Sequence, residues 1–102
     1  MRVISKKKLK FFWKRHGRAE TSLRNWYKTV INAKWNSLVE VRNTFPHADE
    51  VRTDKGSRVI VFNVGGNRFR IISAVHYKSG IIFILDVLTH AEYVRGRWKE
   101  KF

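Results

Sequence analysis

The predicted fold is decided by a stretch that reads RVIVFNV from Arg58 to Val64, then Gly65-Gly66, then NRFRIISAVHY from Asn67 to Tyr77, then Lys78-Ser79-Gly80, and then IIFILDVL from Ile81 to Leu88. Three runs rich in β-branched and aromatic residues, separated by short turns that contain glycine, predict a three-stranded antiparallel meander. Polar side chains near the ends of these runs are the candidates for chemistry. The rest of the chain supplies packing and charge around the sheet.

Composition limits the class of protein. A chain of 102 residues with 43% apolar side chains can bury one modest core, so we expect a single domain over residues 1–102. There is no cysteine, which excludes disulfides, cysteine-based zinc sites and a thiol nucleophile. No apolar run approaches about 18 residues, and no apolar signal core follows the basic N-terminus. We therefore expect a soluble cytoplasmic protein without a membrane partner.

Charge is the strongest signal in the composition. Twenty-two Lys and Arg residues against eight Asp and Glu residues give a net charge of +14 and a sequence pI near 10.9. A field of this size favours a polyanionic partner, and RNA or DNA is the default one.

The N-terminal region predicts a short edge strand from Arg2 to Ser5 and then a helix, which we expect the Ser5 hydroxyl to cap. Gly17 suits the C-terminal end of that helix. One helical face carries Leu9, Phe12, Trp13 and His16. The other face carries cations that are candidates for binding RNA, namely Lys6, Lys7, Lys8, Lys10, Lys14 and Arg15. No acidic residue occurs from Met1 to Ala19.

A second helix is predicted to begin after Thr21 or Ser22. Its apolar stripe runs through Leu23, Trp26, Tyr27, Val30, Ile31, Trp35 and Leu38. We interpret the tryptophans as core residues, with stacking on nucleic-acid bases as the alternative. Phe45-Pro46 ends any helix, a loop follows before a short strand near Val51, and residues 91–99 predict a short C-terminal helix. The fold class is α+β, with two N-terminal helices packed on a small antiparallel sheet.

Hairpin geometry predicts a register for the meander. With Gly65-Gly66 as a two-residue loop, Val64 pairs with Asn67 and Val61 lies opposite Arg70. With a three-residue loop of residues 78–80, Tyr77 pairs with Ile81.

The same register brings polar groups together. Arg70 lies opposite Leu88 and Arg68 opposite His90, and the two arginines share a face because side chains alternate with period two. Directly opposed residues have Cβ atoms about 5 Å apart. Two arginines and a histidine therefore gather at one end of the sheet.

Such a cluster suits cleavage of an RNA phosphodiester bond. Histidine titrates near neutral pH and can serve as acid or base, and arginine matches phosphate geometry with two donors. The plainer interpretation is that His90 only ends its strand, while Arg70 pairs with Asp86 or binds phosphate without catalysis. The other histidines lack the spacing of a metal site, and no metal or cofactor is predicted.

The sequence FNVGGNRFR from Phe62 to Arg70, with LTHAEY from Leu88 to Tyr93 about twenty residues downstream, resembles the HigB family, whose members are toxins of type II toxin–antitoxin modules related to RelE. The resemblance extends over nearly the whole chain. It implies a RelE-like fold and an mRNA interferase, an endoribonuclease that cuts messenger RNA on the translating ribosome and inhibits translation. It also implies a HigA-type antitoxin that holds a monomeric toxin inactive in a hetero-oligomer.

Together, the register and the resemblance give each polar residue a role. His90 is the general acid or base, and Tyr93 orients it or assists proton transfer. Arg70 and Arg68 stabilise the phosphate, and Asn67 positions the RNA. The basic face of the first helix is expected to dock on ribosomal RNA.

Two alternatives remain open at this level. One is a non-catalytic basic protein that binds nucleic acid with the same faces. The other is a gyrase-inhibiting toxin on the same fold, as in the related ParE group.

Overall fold

The computed structural model describes residues 1–102, which form five strands and five α-helices. The strands are β1 (Arg2–Ile4), β2 (Asp49–Arg52), β3 (Arg58–Val64), β4 (Phe69–His76) and β5 (Ile81–Thr89). The helices are α1 (Lys6–Arg15), α2 (Glu20–Ile31), α3 (Leu38–Thr44), α4 (His90–Arg95) and α5 (Trp98–Lys101), with a 3₁₀ turn at Gly17–Ala19. None of the helices combines the length and the apolar character that crossing a bilayer requires. The predicted α+β class is confirmed.

The five strands form one sheet in the order β1-β5-β4-β3-β2. The predicted meander of β3, β4 and β5 is confirmed as antiparallel, and β2 extends it antiparallel to β3. The predicted edge strand β1 is also confirmed. It pairs parallel to β5, so the sheet is mixed.

The sheet buries apolar side chains on both faces. On one face, which we call the helix face, Phe62, Ile71 and Ile84 pack in a core with residues of α1 and α2. On the opposite face, the tail face, Ile72 and Leu88 pack with Trp98 of the C-terminal segment. Arg70 lies two residues before Ile72 on β4 and therefore belongs to the tail face.

The helices begin and end differently from the prediction at several points. Ser5 precedes α1 as expected, but its backbone is left-handed with φ 73° and its hydroxyl makes no cap bond, so the predicted cap is wrong. The second helix begins at Glu20, earlier than predicted, and ends at Ile31. Its apolar stripe does not continue to Leu38, because Ser37 caps a separate helix, α3.

Three tryptophans of the N-terminal half are buried, as the core interpretation predicts, and Trp98, which that interpretation did not cover, is buried as well. Trp13, Trp26 and Trp35 belong to the core of the helix face, and Trp98 belongs to the core of the tail face. Proline 46 follows the end of α3 at Thr44, which confirms the predicted helix stop.

Both hairpin loops are longer than predicted. The first spans residues 65–68, so Val64 pairs with Phe69 and Arg70 lies opposite Asn63, not Val61. Four residues, 77–80, also separate β4 from β5, and His76 pairs with Ile81. The predicted pairing of Arg70 with Leu88 is nevertheless correct, because a bulge next to Ile72 shifts the register of β5 by one residue.

That bulge restores the predicted pairing of Arg70 with Leu88. Ser73 pairs with Ile84 and Ile72 pairs with Asp86, so Leu85 is the extra residue. The prediction gave the correct pair because its two errors cancel: the predicted loop was one residue too short, and the predicted strand pairing lacked the bulge.

The first hairpin loop depends on two glycines, Gly65 and Gly66, whose φ angles are +64° and +67°. A Cβ at residue 65 would lie 3.2 Å from Cδ2 of Phe69, whereas a Cβ at residue 66 meets nothing within 4 Å. We expect Gly66→Ala to lower the free energy of unfolding by about 1 kcal/mol, the penalty of the left-handed backbone alone. Gly65→Ala should lower it by more, because the clash adds to that penalty.

Urea denaturation measures both changes. Gly17→Ala is the matched control, since this glycine has neither a positive φ nor a close neighbour. If the substitutions at residues 65 and 66 lower the free energy of unfolding equally, the close contact with Phe69 contributes nothing.

Candidate active site

The candidate site lies at the end of the tail face where β5 passes into α4. Thr89 caps α4 in a reciprocal arrangement: its hydroxyl accepts the N–H of Glu92, and the carboxylate of Glu92 accepts the N–H of Thr89. The backbone N–H of His90 donates to the carbonyl of Arg68 at 2.8 Å. Backbone bonds therefore fix His90 beside the loop that carries Arg68, as the predicted register required.

Arg70 is buried at the centre of the site, with a relative exposure of 5%. Its Nη1 donates to the carbonyls of Asn67 and Phe69 at 3.0 and 3.1 Å. Its Nη2 donates to Oδ1 of Asn67 at 2.9 Å and lies 3.2 Å from Nδ1 of His90. The guanidinium is thus held by neutral acceptors, and it belongs to none of the ion pairs in the protein.

The proposed pairing of Arg70 with Asp86, the plainer alternative at the sequence level, is wrong. Oδ1 of Asp86 accepts the backbone N–H of Val87 at 2.9 Å. Asp86 also pairs with Ile72 on the neighbouring strand, not with Arg70.

The contact with Arg70 sets the hydrogen-bonding state of His90. A guanidinium N–H can only donate, so Nδ1 of His90 is the acceptor in this contact. The neutral imidazole then has its proton on Nε2, and the exposed ring offers Nε2–H as a donor. To take up a second proton at Nδ1, His90 must give up the contact with Arg70.

Tyr93 closes the site from the α4 side. The guanidinium carbon of Arg70 lies 5.2 Å from the centroid of its ring, and the ring stacks on Trp98 with centroids 5.4 Å apart. Burial raises the pKa of the Tyr93 hydroxyl, the negative charge of Asp49 raises it further, and the charge of Arg70 opposes the shift. The hydroxyl therefore stays protonated at neutral pH and can donate a hydrogen bond.

Asp49 is a neighbour of the site that the sequence reasoning missed. It opens β2 opposite Val61, a residue of the tail-face core, and it pairs with Arg42 at 3.5 Å. The prediction placed residues 47–51 in a loop before the strand. The alternation of Asp49 with Val51, which packs against the same core, is the signal that could have found it.

The remaining two predicted residues near Arg70 have different surroundings. Both oxygens of Asn67, the carbonyl and Oδ1, are engaged by Arg70, so this residue positions the guanidinium. Arg68 is exposed, and only its backbone carbonyl contacts His90.

The predicted cations of α1 are not part of this cluster. Lys7, Lys10, Lys14 and Arg15 are exposed. Nζ of Lys8 donates to the carbonyl of Leu85 at 2.9 Å, so this lysine covers the edge of β5. Nζ of Lys6 lies 4.2 Å from the centroid of the Tyr27 ring and is turned towards α2. No group of three or more His, Asp and Glu side chains has the arrangement of a metal site.

Sequence comparison relates the chain to known toxins. The family described as "HigB_toxin, RelE-like toxic component of a toxin-antitoxin system" matches residues 19–95. The chain is 31% identical over 94 residues to the mRNA interferase toxin HigB of Escherichia coli, an alignment that covers 91% of this chain and 88% of the relative. An mRNA interferase HigB of Shigella flexneri matches with the same identity and coverage. An mRNA interferase HigB from another Escherichia coli strain is 25% identical over 93 residues, again covering 91% and 88%.

The capping box at the start of α4 predicts a pH-dependent contribution to stability. The hydrogen bond from the backbone N–H of Thr89 lowers the pKa of Glu92, assisted by the Thr89 hydroxyl and the charges of His16 and Arg15, while burial opposes the shift. A carboxyl with a lowered pKa stabilises the folded state above its unfolded pKa, and this contribution is lost as the pH falls through the folded pKa. Glu92→Gln keeps the capping box without the charge.

We therefore expect the wild type to melt at a higher temperature than Glu92→Gln at neutral pH, and the difference to vanish as the pH falls below the usual range for glutamate. Circular dichroism melts between about pH 7 and about pH 3 measure it. A difference that is constant across this range would contradict the assignment.

Proposed function

The chain belongs to the HigB family of RelE-like toxins, and from this we infer that it is an endoribonuclease that cuts messenger RNA as the toxic component of a toxin–antitoxin module. The observation that supports the chemistry best is the buried Arg70, a cation held by neutral acceptors beside His90 and Tyr93. Its positive charge is not neutralised by a carboxylate. It is therefore available to an anion such as a phosphodiester.

The site suggests how the phosphate is held. A non-bridging oxygen would accept from Nη2 of Arg70 and take the place of Nδ1 of His90. The protonated hydroxyl of Tyr93 would donate to the same group, since its raised pKa keeps the proton in place. Charge that develops on the phosphate oxygens in the transition state is then stabilised by donors that are already oriented.

When the phosphate displaces Nδ1 of His90 from Arg70, it also makes His90 ready to act as an acid. Once Nδ1 is released, the imidazole can bind a second proton and act as general acid. In the reaction, the 2′-hydroxyl of the RNA loses its proton to a solvent water and its oxygen attacks phosphorus, which forms a 2′,3′-cyclic phosphate. The bond from phosphorus to the 5′-oxygen breaks, and that oxygen receives the proton from His90. Arrival of the phosphate and protonation of the acid are thereby linked through one hydrogen bond.

Family membership implies an antitoxin partner, and we propose that this partner is of the HigA type. We further propose that the toxin is a single functional domain over residues 1–102 that acts in the cytoplasm on the ribosome. When free it would be monomeric, and it would form a hetero-oligomer with its antitoxin. Ribosomal RNA is the proposed contact of α1 through Lys10 and Lys14, two exposed cations that lie one turn apart.

The decisive experiment is incubation of the purified protein with a defined mRNA, with and without translating ribosomes, followed by primer extension to map new ends. Cuts that appear only with ribosomes support the ribosome-dependent nuclease. Salt-sensitive RNA binding without cuts in either condition would support a non-catalytic binding protein, and DNA-damage signalling without loss of message would support a gyrase inhibitor.

Substitutions in the Arg70 cluster should remove cleavage and leave the fold intact. We expect His90→Ala, Arg70→Lys and Tyr93→Phe each to slow cleavage by about 100-fold or more. His90→Ala and Tyr93→Phe remove a donor to the leaving oxygen or the phosphate, and Arg70→Lys replaces the planar set of guanidinium donors by a single ammonium group. Tyr93→Phe is the mildest structural change, since the ring still stacks on Trp98.

Primer-extension time courses and growth of cells that express each variant provide the measurements. Arg52→Ala, an exposed arginine at the end of β2, is the matched control and should cleave normally. If the His90→Ala variant and the Arg70→Lys variant each arrest growth as fully as the wild type, the assignment of these residues is refuted.

The docking role of α1 predicts a change in salt dependence. Lys10→Glu combined with Lys14→Glu should weaken association with ribosomes and reduce the slope of log K against log salt, by about 0.7–0.9 for each lost phosphate contact. Co-sedimentation over a range of salt concentrations measures the slope. The charge-matched control is Lys34→Glu combined with Lys55→Glu, two exposed lysines outside α1, and an equal loss in the control would indicate an effect of net charge alone.

A further inference from the structure

A second concave site lies along the edge of β5, separate from the Arg70 cluster. β1 pairs only with residues 81–83 of β5, so the remainder of that edge faces α1 instead of another strand. The resulting trough has a volume of about 540 Å³. Its floor is residues 86–88, one wall is α1, and the opposite wall includes Glu92 of α4 and Lys101 of α5.

The most unusual residue in the trough is Phe11, which is 65% exposed. Lys7 and Arg15 lie one helical turn away on either side of it, at i−4 and i+4, and Lys8 lies at i−3. The guanidinium carbon of Arg15 is 5.8 Å from the centroid of the Phe11 ring. An exposed aromatic ring among cations matches the way in which proteins bind single-stranded nucleic acid, where a base stacks on the ring and the cations follow the backbone.

The two acidic residues of the trough are already engaged. Asp86 accepts the backbone N–H of Val87, and Glu92 accepts that of Thr89. Both carboxylates therefore face their own backbone. The cations lining the trough, which include Lys101 from the opposite wall, outnumber them.

We propose that this trough is a nucleotide subsite for the substrate RNA, in which an unpaired base next to the cleaved bond stacks on Phe11 and its phosphate is held by Lys7 and Arg15. The proposal rests on the endoribonuclease function and names where the strand continues. The trough is lined by Leu88, the residue of β5 that pairs with Arg70, so a strand that leaves the Arg70 cluster meets the trough at the end of β5. A volume of this size is in the range of sites that hold small ligands.

The charge of the trough favours RNA over a protein segment as its occupant. α1 carries no acidic residue, and an RNA strand places negative charges at regular spacing beside flat rings. Stacking does not require a particular base, which suits a subsite on a flanking nucleotide.

The test compares wild type, Phe11→Ala and Phe11→Trp in single-turnover cleavage of the mRNA substrate, free or on ribosomes, whichever the wild type cuts. We expect Phe11→Ala to raise the half-saturating protein concentration about tenfold, with little change in the maximal rate, because one base–aromatic contact is lost. Phe11→Trp should restore tight binding. Val39→Ala, which removes an equally exposed apolar side chain (69%) from α3, is the matched control.

A second arm identifies the nucleotide. A series of substrates, each with one abasic position near the cut, should show one position where loss of the base weakens wild-type binding and has no effect on Phe11→Ala. Unchanged half-saturation for Phe11→Ala would overturn the proposal. A tenfold loss of Phe11→Ala binding in co-sedimentation with ribosomes that carry no mRNA would also overturn it, because it would assign Phe11 to ribosomal RNA.

Other outcomes also decide the matter. Normal cleavage by Phe11→Ala with escape from neutralisation by the antitoxin would assign the trough to a protein partner and overturn the proposal. If the wild type cuts RNA and Phe11→Ala matches it, only the subsite is refuted. Absence of cleavage by the wild type under both conditions would refute the nuclease itself, and the subsite with it.

Discussion

The pairing of β5 with β4, interrupted by one extra residue, is the constraint on which both faces of the sheet depend. Before the interruption Ile84 packs on the helix face, and after it Val87 packs there while Leu88 packs on the tail face. Side chains alternate with period two, so a ladder without the bulge would turn Leu88, and the start of α4 behind it, towards the opposite face. With the bulge at Leu85, β5 contributes Ile84 and Val87 to the core of the helix face and Leu88 to the tail face, beside the Arg70 cluster.

A buried guanidinium is unfavourable unless its N–H groups find acceptors. The loop between β3 and β4 solves this for Arg70, because Asn67 supplies both a carbonyl and a side-chain oxygen within three residues along the chain. These acceptors satisfy the hydrogen bonds without cancelling the charge, and the ring of Tyr93 adds a favourable contact to a cation. A carboxylate in the same place would satisfy the same donors and would also compete with a phosphate. The arrangement therefore keeps Arg70 stable in the free protein and leaves its positive potential for an anionic ligand.

The sequence predicts those parts of the structure that depend on local pattern. The meander follows from its β-branched runs and glycine turns, and the buried tryptophans follow from helical periodicity. The break between α2 and α3 was missed because the apolar spacing runs on through Trp35 and Leu38, while the cap formed by Ser37 is a weaker signal. The pair of Arg70 with Leu88 was predicted through two compensating errors, since a bulge depends on packing against both cores and has no local signature. The exposure of Phe11 was missed because the sequence analysis divided the first helix into an apolar face and a basic face, and Phe11 was assigned to neither.

In the proposed function, the distribution of charge separates the docking of the RNA from the cleavage step. Apart from Lys6, the cations of α1 are exposed, so their charges act over about one Debye length, near 8 Å at physiological salt, and their effect weakens as salt rises. Arg70 is buried and little screened, and it acts only on a phosphate that already touches it. Ionic strength should therefore govern how often the toxin meets its target and have little effect on the step that breaks the bond. Under this proposal, an acidic partner that covers α1 would prevent the encounter with RNA even if Arg70 remained uncovered.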